Sequence, residues 1–279
     1  MRRLRVWVLS ALLMGGVVAA ASACAVKSYA TPAGPGVPFA EAHLLWNDVT
    51  ERCRATRVFV AEIRVTGWVG SPSQRIAPTL HGALTRTDDI YLEIPAPGGP
   101  VVQMAGERGR STFVLPRDRR ALEASTVDIV DALIGLRWSA VDLLNVLTGC
   151  VDDAPAEVTG VRYGNGAAND QVAIDVRGGA RAYLGRVHGA WQVKAASRDG
   201  MLVEYLARDG AYPSEVRVSV AAGQPEDITR LSLLFRLGQV QANIDKPPFT
   251  LVVPASYVPM TIADLRALRP LDEGKSAQD

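Results

Sequence analysis

Histidine is scarce in this chain, with only His43, His81 and His188 among 279 residues. No metal-ligand spacing links them, so each reads as a solvated side chain and neither a metal nor a cofactor is expected. Cysteine is equally sparse, at Cys24, Cys53 and Cys150. Cys53 with a distant histidine could form a nucleophile pair, but it falls on the apolar side of a predicted helix. Charge of one sign is also missing. Thirty Lys and Arg against 29 Asp and Glu leave a net charge of +1, which excludes the basic surface that a nucleic-acid partner needs. The Gly160–Gly166 segment has neither a Walker lysine nor a following helix and reads as a turn. Asp88-Asp89 and Asp152-Asp153 are adjacent pairs in loops, where neighbouring side chains diverge. There is no internal repeat and no catalytic constellation, so the chain reads as non-catalytic.

What is present begins at the N-terminus. Arg2, Arg3 and Arg5 precede an apolar run from Val6 to Ala20, then Ala21-Ser22-Ala23-Cys24. Residues 1–23 read as an export signal. The run is near the lower length limit for a membrane span, which leaves an uncleaved anchor as the alternative. Ala21-Ser22-Ala23-Cys24 resembles a bacterial lipoprotein signal, with Ala21 where that motif usually has leucine. The resemblance implies that Cys24 becomes a diacylated N-terminus, and Ala25 after it resembles outer-membrane retention. Cleavage after Ala23 to release a soluble protein is the other outcome. Residues 24–37, with Thr31-Pro32-Ala33-Gly34-Pro35-Gly36, read as a flexible tether. A helical pattern starts at Pro38, with Ala42, Leu45 or Trp46, Val49, Cys53 and Thr56 recurring every three or four residues.

Strand signals then dominate. In Val58–Val69, Phe59, Ala61, Ile63, Val65 and Val69 share one face while Glu62, Arg64 and Thr66 take the other. Leu80 to Leu84, Ile90 to Ile94, Val102 to Met104, Ser111–Leu115 and Ala121-Leu122 continue the pattern, and such closely spaced strands form antiparallel meanders. Two short helices follow to cover the dry face. Ser125 or Thr126 with Asp128 opens the first, stopped by Gly135, and Ser139 with Asp142 opens the second, stopped by Gly149. Trp138 is placed to close one end of the space beneath them. Further strands are predicted at Val172–Val176, Tyr183–Val187, Trp191–Ala195, Met201–Leu206, Val216–Val220 and Leu231–Leu237, with a hairpin turn at Asn165-Gly166. Phe249–Val253 reads as a short edge strand, and Thr261 with Asp264 caps a final helix holding Ile262, Leu265 and Leu268. The expected fold is mainly β with α, a curved antiparallel sheet forming an incomplete β-barrel covered by short helices. The domain is placed at 38–270, and 271–279 as a disordered tail.

Several runs carry a family resemblance: Ile63-Arg64-Val65-Thr66-Gly67, Leu92-Glu93-Ile94-Pro95-Ala96-Pro97-Gly98-Gly99, Phe113-Val114-Leu115-Pro116-Arg117-Asp118-Arg119, and Leu143-Leu144-Asn145-Val146-Leu147-Thr148-Gly149-Cys150. They resemble the LolB-like (LolA/LolB-type) outer-membrane lipoproteins, loosely over Phe39–Leu268. The resemblance implies a helical lid over an apolar cavity that accepts the acyl chains of lipoproteins. On the predicted strands and helices that cavity would be lined by Ile63, Val65, Leu84, Leu92, Met104, Phe113, Ile129, Leu133, Leu143 and Leu147. It also implies a membrane-facing loop at Pro97, Gly98 and Gly99, although the exposed leucine of that family is replaced here by glycine. The expected location is the periplasmic face of the outer membrane. Expected partners are the membrane, through the N-terminal lipid, and lipoprotein or lipid cargo, with the chain a monomer. The alternative is a structural or assembly-supporting envelope lipoprotein with a filled core. In an oxidising compartment Cys53 and Cys150 are the disulfide candidates, with two buried free thiols as the alternative.

Overall fold

The computed structural model describes residues 29–69, 74–151, 157–164, 170–176, 179–198, 200–220, 231–245, 249–268 and 271. The expected export signal, Cys24, Asp152-Asp153, the expected Asn165-Gly166 turn and residues 272–279 of the expected tail lie outside these residues. The architecture below belongs to the unit Pro32–Asp279.

The alternation in Val58–Val69 produces β2, whose Phe59, Ala61, Ile63, Val65 and Val69 are buried. Downstream of it come β3 (Gln74–Ile76), β4 (Thr79–Thr85), β5 (Ile90–Ile94), β6 (Val102–Glu107), β7 (Arg110–Leu115) and β8 (Arg120–Ser125). A second meander comprises β9 (Val158–Tyr163), β10 (Gln171–Val176), β11 (Ala180–Val187), β12 (Ala190–Arg198), β13 (Met201–Asp209), β14 (Tyr212–Val220) and β15 (Ser232–Ala242). The two meanders join where β15 pairs with β2, placing Phe235 opposite Val65 and Leu237 opposite Ile63. Gly67 is required at this seam, because a Cβ there would lie 1.9 Å from the Ser232 carbonyl oxygen.

One large sheet results, running from β1 (Val37–Pro38) through β9-β10-β11-β12-β13-β14-β15-β2-β4-β5-β6-β7-β8 to β16 (Val258–Pro259), with β3 paired to β2. Register shifts in the β11/β12, β13/β14 and β15/β2 pairs curve it. It is not closed into a barrel. Its two margins are β1 (Val37–Pro38) and β16 (Val258–Pro259), the latter parallel to β8. Each margin is a two-residue Val-Pro strand, and a proline without an N–H discourages further pairing at an exposed edge.

Among the described residues four helices decorate the sheet: α1 (Ala42–Ala55), α2 (Thr126–Ile134), α3 (Ala140–Thr148) and α4 (Ile262–Leu268). The α1 helix packs on β9 and β12, α2 on β7, β8 and α4, and α3 on β4 and β14. Local chemistry sets the limits of α2 and α3. The Asp128 N–H donates to Ser125 Oγ at 3.1 Å, a full capping box joins Ser139 to Asp142, and Gly135 and Gly149 end the helices at φ 73° and 81°.

Three expectations need correction. The first helix begins at Ala42 rather than Pro38, because Pro38 is drawn into β1 against Val161. Residues 249–253 form no strand: Phe249 is buried while Val252 is 96% exposed. The edge position is taken instead by Val258 and Met260, whose N–H groups donate to Arg119 and Ala121 carbonyls, both at 2.8 Å. Gly160 to Tyr163 is strand, not turn, since its backbone pairs with β10. Glycine suits position 160 because a Cβ there would come within 2.6 Å of the Ala42 side chain as α1 crosses β9.

Candidate functional site

Between the sheet and the helices α2 and α3 lies a cavity of about 80 Å³. Seven strands supply its floor: Phe235 from β15, Ile63 and Val65 from β2, Ile76 from β3, Leu80 and Leu84 from β4, Leu92 and Ile94 from β5, Val102 and Met104 from β6, and Phe113 from β7. Its roof is Val130, Leu133 and Ile134 of α2 with Leu143 and Leu147 of α3. These are helical neighbours at i, i+3 and i+4. The structure therefore brings together nine of the ten residues placed at such a cavity from sequence. Ile129 is the exception. It lies to one side of the α2 stripe and is fully buried in the surrounding core.

The other lining residues were not singled out from sequence. Leu80, Ile94 and Val102 share a strand face with named residues and could have been found by extending the alternation. Phe235 could not, because it reaches the site only through the β15–β2 pairing.

Glu93 also borders the cavity, with its carboxylate already engaged. It accepts the Tyr91 hydroxyl at 2.6 Å and Gln103 Nε2 at 3.0 Å. The Tyr91 hydrogen bond holds the Glu93 carboxyl below its usual range, while burial foremost, and then Glu93, push the Tyr91 phenol up to about 12.

The two roof helices are held differently. At the start of α3, Asp88 Oδ1 accepts the N–H groups of Ala140 at 2.9 Å and Val141 at 3.3 Å. Asp89 turns the other way, accepting from the hydroxyls of Thr85 and Thr87 at 3.0 and 2.7 Å. Near the end of α3, Arg86 donates to Asn145 Oδ1 at 2.8 Å and to the Cys53 and Thr56 carbonyls of the α1 terminus. Cys150, just past α3, is disulfide-bonded to Cys53, with a Cα–Cα distance of 5.8 Å. By contrast, α2 is held at its start by a buried Ser111–Thr126 hydroxyl contact and by the Thr126 N–H, which donates to the Gly109 carbonyl at 2.9 Å, along its length by buried Ile129 and Val130, and otherwise by surface ion pairs. Its Asp131 meets Arg266 of α4 at 2.5 Å, and its Asp128 lies 3.5 Å from Arg137.

Two further hollows adjoin these helices. On the far face of α3, a pocket of about 250 Å³ is bounded by Trp138, Asn145, Val146, Cys150, Val203 and Tyr205. Trp138 thus closes this pocket rather than the apolar cavity. Burial pushes the Tyr205 phenol upward. The other hollow, about 540 Å³, lies between the β5–β6 loop, the β7–β8 turn and α4. It shares Pro78, Ile94, Val102 and Leu271 with the apolar cavity. Pro97, of the loop read as membrane-facing, is on its rim, and its carbonyl accepts Arg117 Nη2 at 3.1 Å. Gly98 and Gly99 are exposed at the tip of that loop, at φ 84° and 122°. His43, His81 and His188 are all exposed, and among the described residues no group of three or more His, Cys, Asp or Glu could hold a metal ion.

No family model and no curated protein matches the chain. Solved structures align with it at low identity. A LolA-superfamily protein from Nitrosomonas europaea aligns at TM-score 0.43 and 10% identity, over 75% of this chain and 97% of its own. A Vibrio parahaemolyticus domain assigned to outer-membrane lipoprotein sorting gives 0.43 and 9%, over 74% and 95%. A Desulfovibrio piger protein from a family of unknown function gives 0.45 and 10%, over 76% and 95%. Likeness at this level concerns the arrangement of strands and helices alone.

Proposed function

We propose that the protein is a non-catalytic envelope lipoprotein, of LolB-like type, that takes an acyl chain into the cavity beneath α2 and α3. In this reading Cys24 carries the lipid anchor at the periplasmic face of the outer membrane, and the cargo is lipid or the acyl group of a lipoprotein. The observation that carries it is a void whose walls are apolar side chains from seven strands and two helices. Protein cores otherwise pack to crystal-like density, so a void with such walls fits a site that holds hydrocarbon. Each methylene buried there contributes about 0.8 kcal/mol before ordering costs, so a chain of about a dozen is held without any charged contact.

The volume also favours a second reading. About 80 Å³ is well below the about 300 Å³ at which small-molecule pockets begin. A long chain fits only once the roof parts from the sheet. If it never parts, the protein is a structural envelope lipoprotein with a nearly filled core.

Titration of purified, delipidated protein with a fluorescent acyl probe decides between them. Saturable binding, lost in Leu143→Asp and Leu133→Asp variants that keep the wild-type circular dichroism spectrum, is expected. A well-folded wild type that binds no acyl probe favours the structural reading. The anchor is tested separately by intact mass. A single chain binds membranes only marginally, at about 10⁴ M⁻¹, so Cys24 should carry at least two, and an unmodified N-terminus would rule the anchor out.

A further inference from the structure

We infer that the ligand enters tail first through the hollow beside α4 and leaves its polar end there against Arg117, so that the protein selects acyl amphiphiles whose heads present oxygen acceptors. The inference rests on the acyl-chain reading above and adds to it an entrance, a direction and a head-group chemistry.

Three observations place the entrance. The hollow of about 540 Å³ borders the apolar cavity, and Pro78, Ile94, Val102 and Leu271 line both. The pocket on the other side of α3 shares no lining residue with that cavity, and α3 stands between them. Moreover, α3 is clamped by a disulfide, by Arg86 and by Asp88. The helices beside the hollow, α2 and α4, are joined to each other by the Arg266–Asp131 pair, and α4 is joined to β8 by Arg120–Asp264 at 3.7 Å. Ion pairs with exposed partners hold little energy against motion, so the roof yields on this side.

The chemistry of the hollow sets the head group. Toward the cavity its walls are Pro78, Ile94 and Val102, and at the rim they are Thr79, Arg117 and Asp118. A guanidinium has five N–H donors and no acceptor. The Arg117 bond to the Pro97 carbonyl uses one nitrogen and fixes the side chain across two loops. The remaining donors, hydrated at this exposed position, can turn to an oxygen acceptor on the ligand, while neighbouring Asp118 opposes heads of high negative charge. A carboxylate and a glyceryl ester share this chemistry, one from a free fatty acid and the other from a lipid or an acylated protein.

Competition against the fluorescent acyl probe separates these sources, using a fatty acid, its glyceryl monoester and an alkyltrimethylammonium of equal chain length. Both oxygen-headed competitors should displace the probe at lower concentration than the ammonium, and the stronger of the two identifies the source. Arg117→Ala should weaken them about two- to fivefold, the scale of one exposed ionic contact, and leave the ammonium unchanged. The entrance is tested by rate. Thr79→Trp, at an exposed position on the rim, should slow probe association several-fold, whereas Val146→Trp in the pocket behind α3 should not. If probe binds but all three competitors are equal, or Arg117→Ala shifts none of them, the head-group assignment is overturned and the acyl-chain reading stands. Slowing by Val146→Trp alone would move the entrance to the other pocket. Failure of every chain to bind removes both.

Discussion

Helices α2 and α3 are each nine residues long, each opened by a serine cap with an aspartate three residues on, and each ended by a left-handed glycine. Judged by their own sequences they are equivalent lids. Their attachments differ. The α3 helix is tied through Asp88, Arg86 and the Cys53–Cys150 bond to segments 50 to 100 residues away in the chain, whereas α2 meets α4 through a pair whose arginine is 56% exposed. Whether a helix acts as a wall or as a door is therefore decided by the residues that grip its ends.

The sharpest way to break that contrast is to remove the covalent grip. The disulfide closes a loop with a sequence separation of 97, for which the chain-entropy account gives up to about 4.7 kcal/mol. The C53S/C150S double variant should lose most of this in a guanidinium unfolding curve. Its probe association should also become faster, since α3 then keeps only its polar contacts to Asp88 and Arg86. A loss under about 1 kcal/mol, well below the usual range for native disulfides, would mean that the polar contacts alone fix α3.

A finer comparison uses one leucine from each helix. Leu144 on α3 is fully buried and Leu133 on α2 is partly exposed at the cavity roof. Leu144→Ala should cost about 2–5 kcal/mol, as fully buried leucines do. Leu133→Ala should cost less in stability and more in probe affinity, because its side chain already borders a void. Equal stability losses would show α2 to be as firmly packed as α3 and would move the opening elsewhere.

The cavity floor was readable from sequence because a strand writes its burial in every second residue, and Ile63, Val65, Leu92 and Met104 need no more than that rule. The caps of α2 and α3 were readable for the same local reason. Contacts between distant segments leave no such trace. The adjacent Asp88 and Asp89 read only as a loop pair whose side chains diverge. They do diverge, but nothing local says that one of them reaches the start of a helix 52 residues later. Arg86 likewise joins α1 to α3 without a motif. The hollow beside α4 forms where the β5–β6 loop, the β7–β8 turn and the C-terminal helix converge, and no periodicity links those three segments. Phe249–Val253 failed in the opposite way, since a run of apolar residues was read as pairing when the edge of β8 was filled by Val258–Pro259.

The smallest effect concerns the door's own fastening. Asp264 caps α4, accepting the Thr261 N–H at 2.8 Å and the Thr261 hydroxyl at 2.9 Å, with Arg120 nearby at 3.7 Å. The backbone hydrogen bond chiefly, then the Thr261 hydroxyl and Arg120, hold its carboxyl below the usual aspartate range. A carboxylate with a depressed folded-state pKa contributes stability that is complete above its unfolded value of about 3.9 and is lost as pH falls through the folded value. At neutral pH α4 is therefore fully capped, and it should fray only in acid below about pH 4. The group lies at the surface, so the change is expected in α4 rather than in global unfolding. Amide exchange at Leu265, whose N–H donates to the Thr261 carbonyl at 3.0 Å, should rise above the intrinsic pH trend as the solution is acidified. Glu93 is also held below its usual range by the Tyr91 hydroxyl, which makes a variant necessary. Asp264→Asn should show the faster exchange already at neutral pH and no further rise in acid. If it keeps the wild-type acid response, the response belongs to Glu93 or another carboxylate, and the cap on α4 does not fasten the roof.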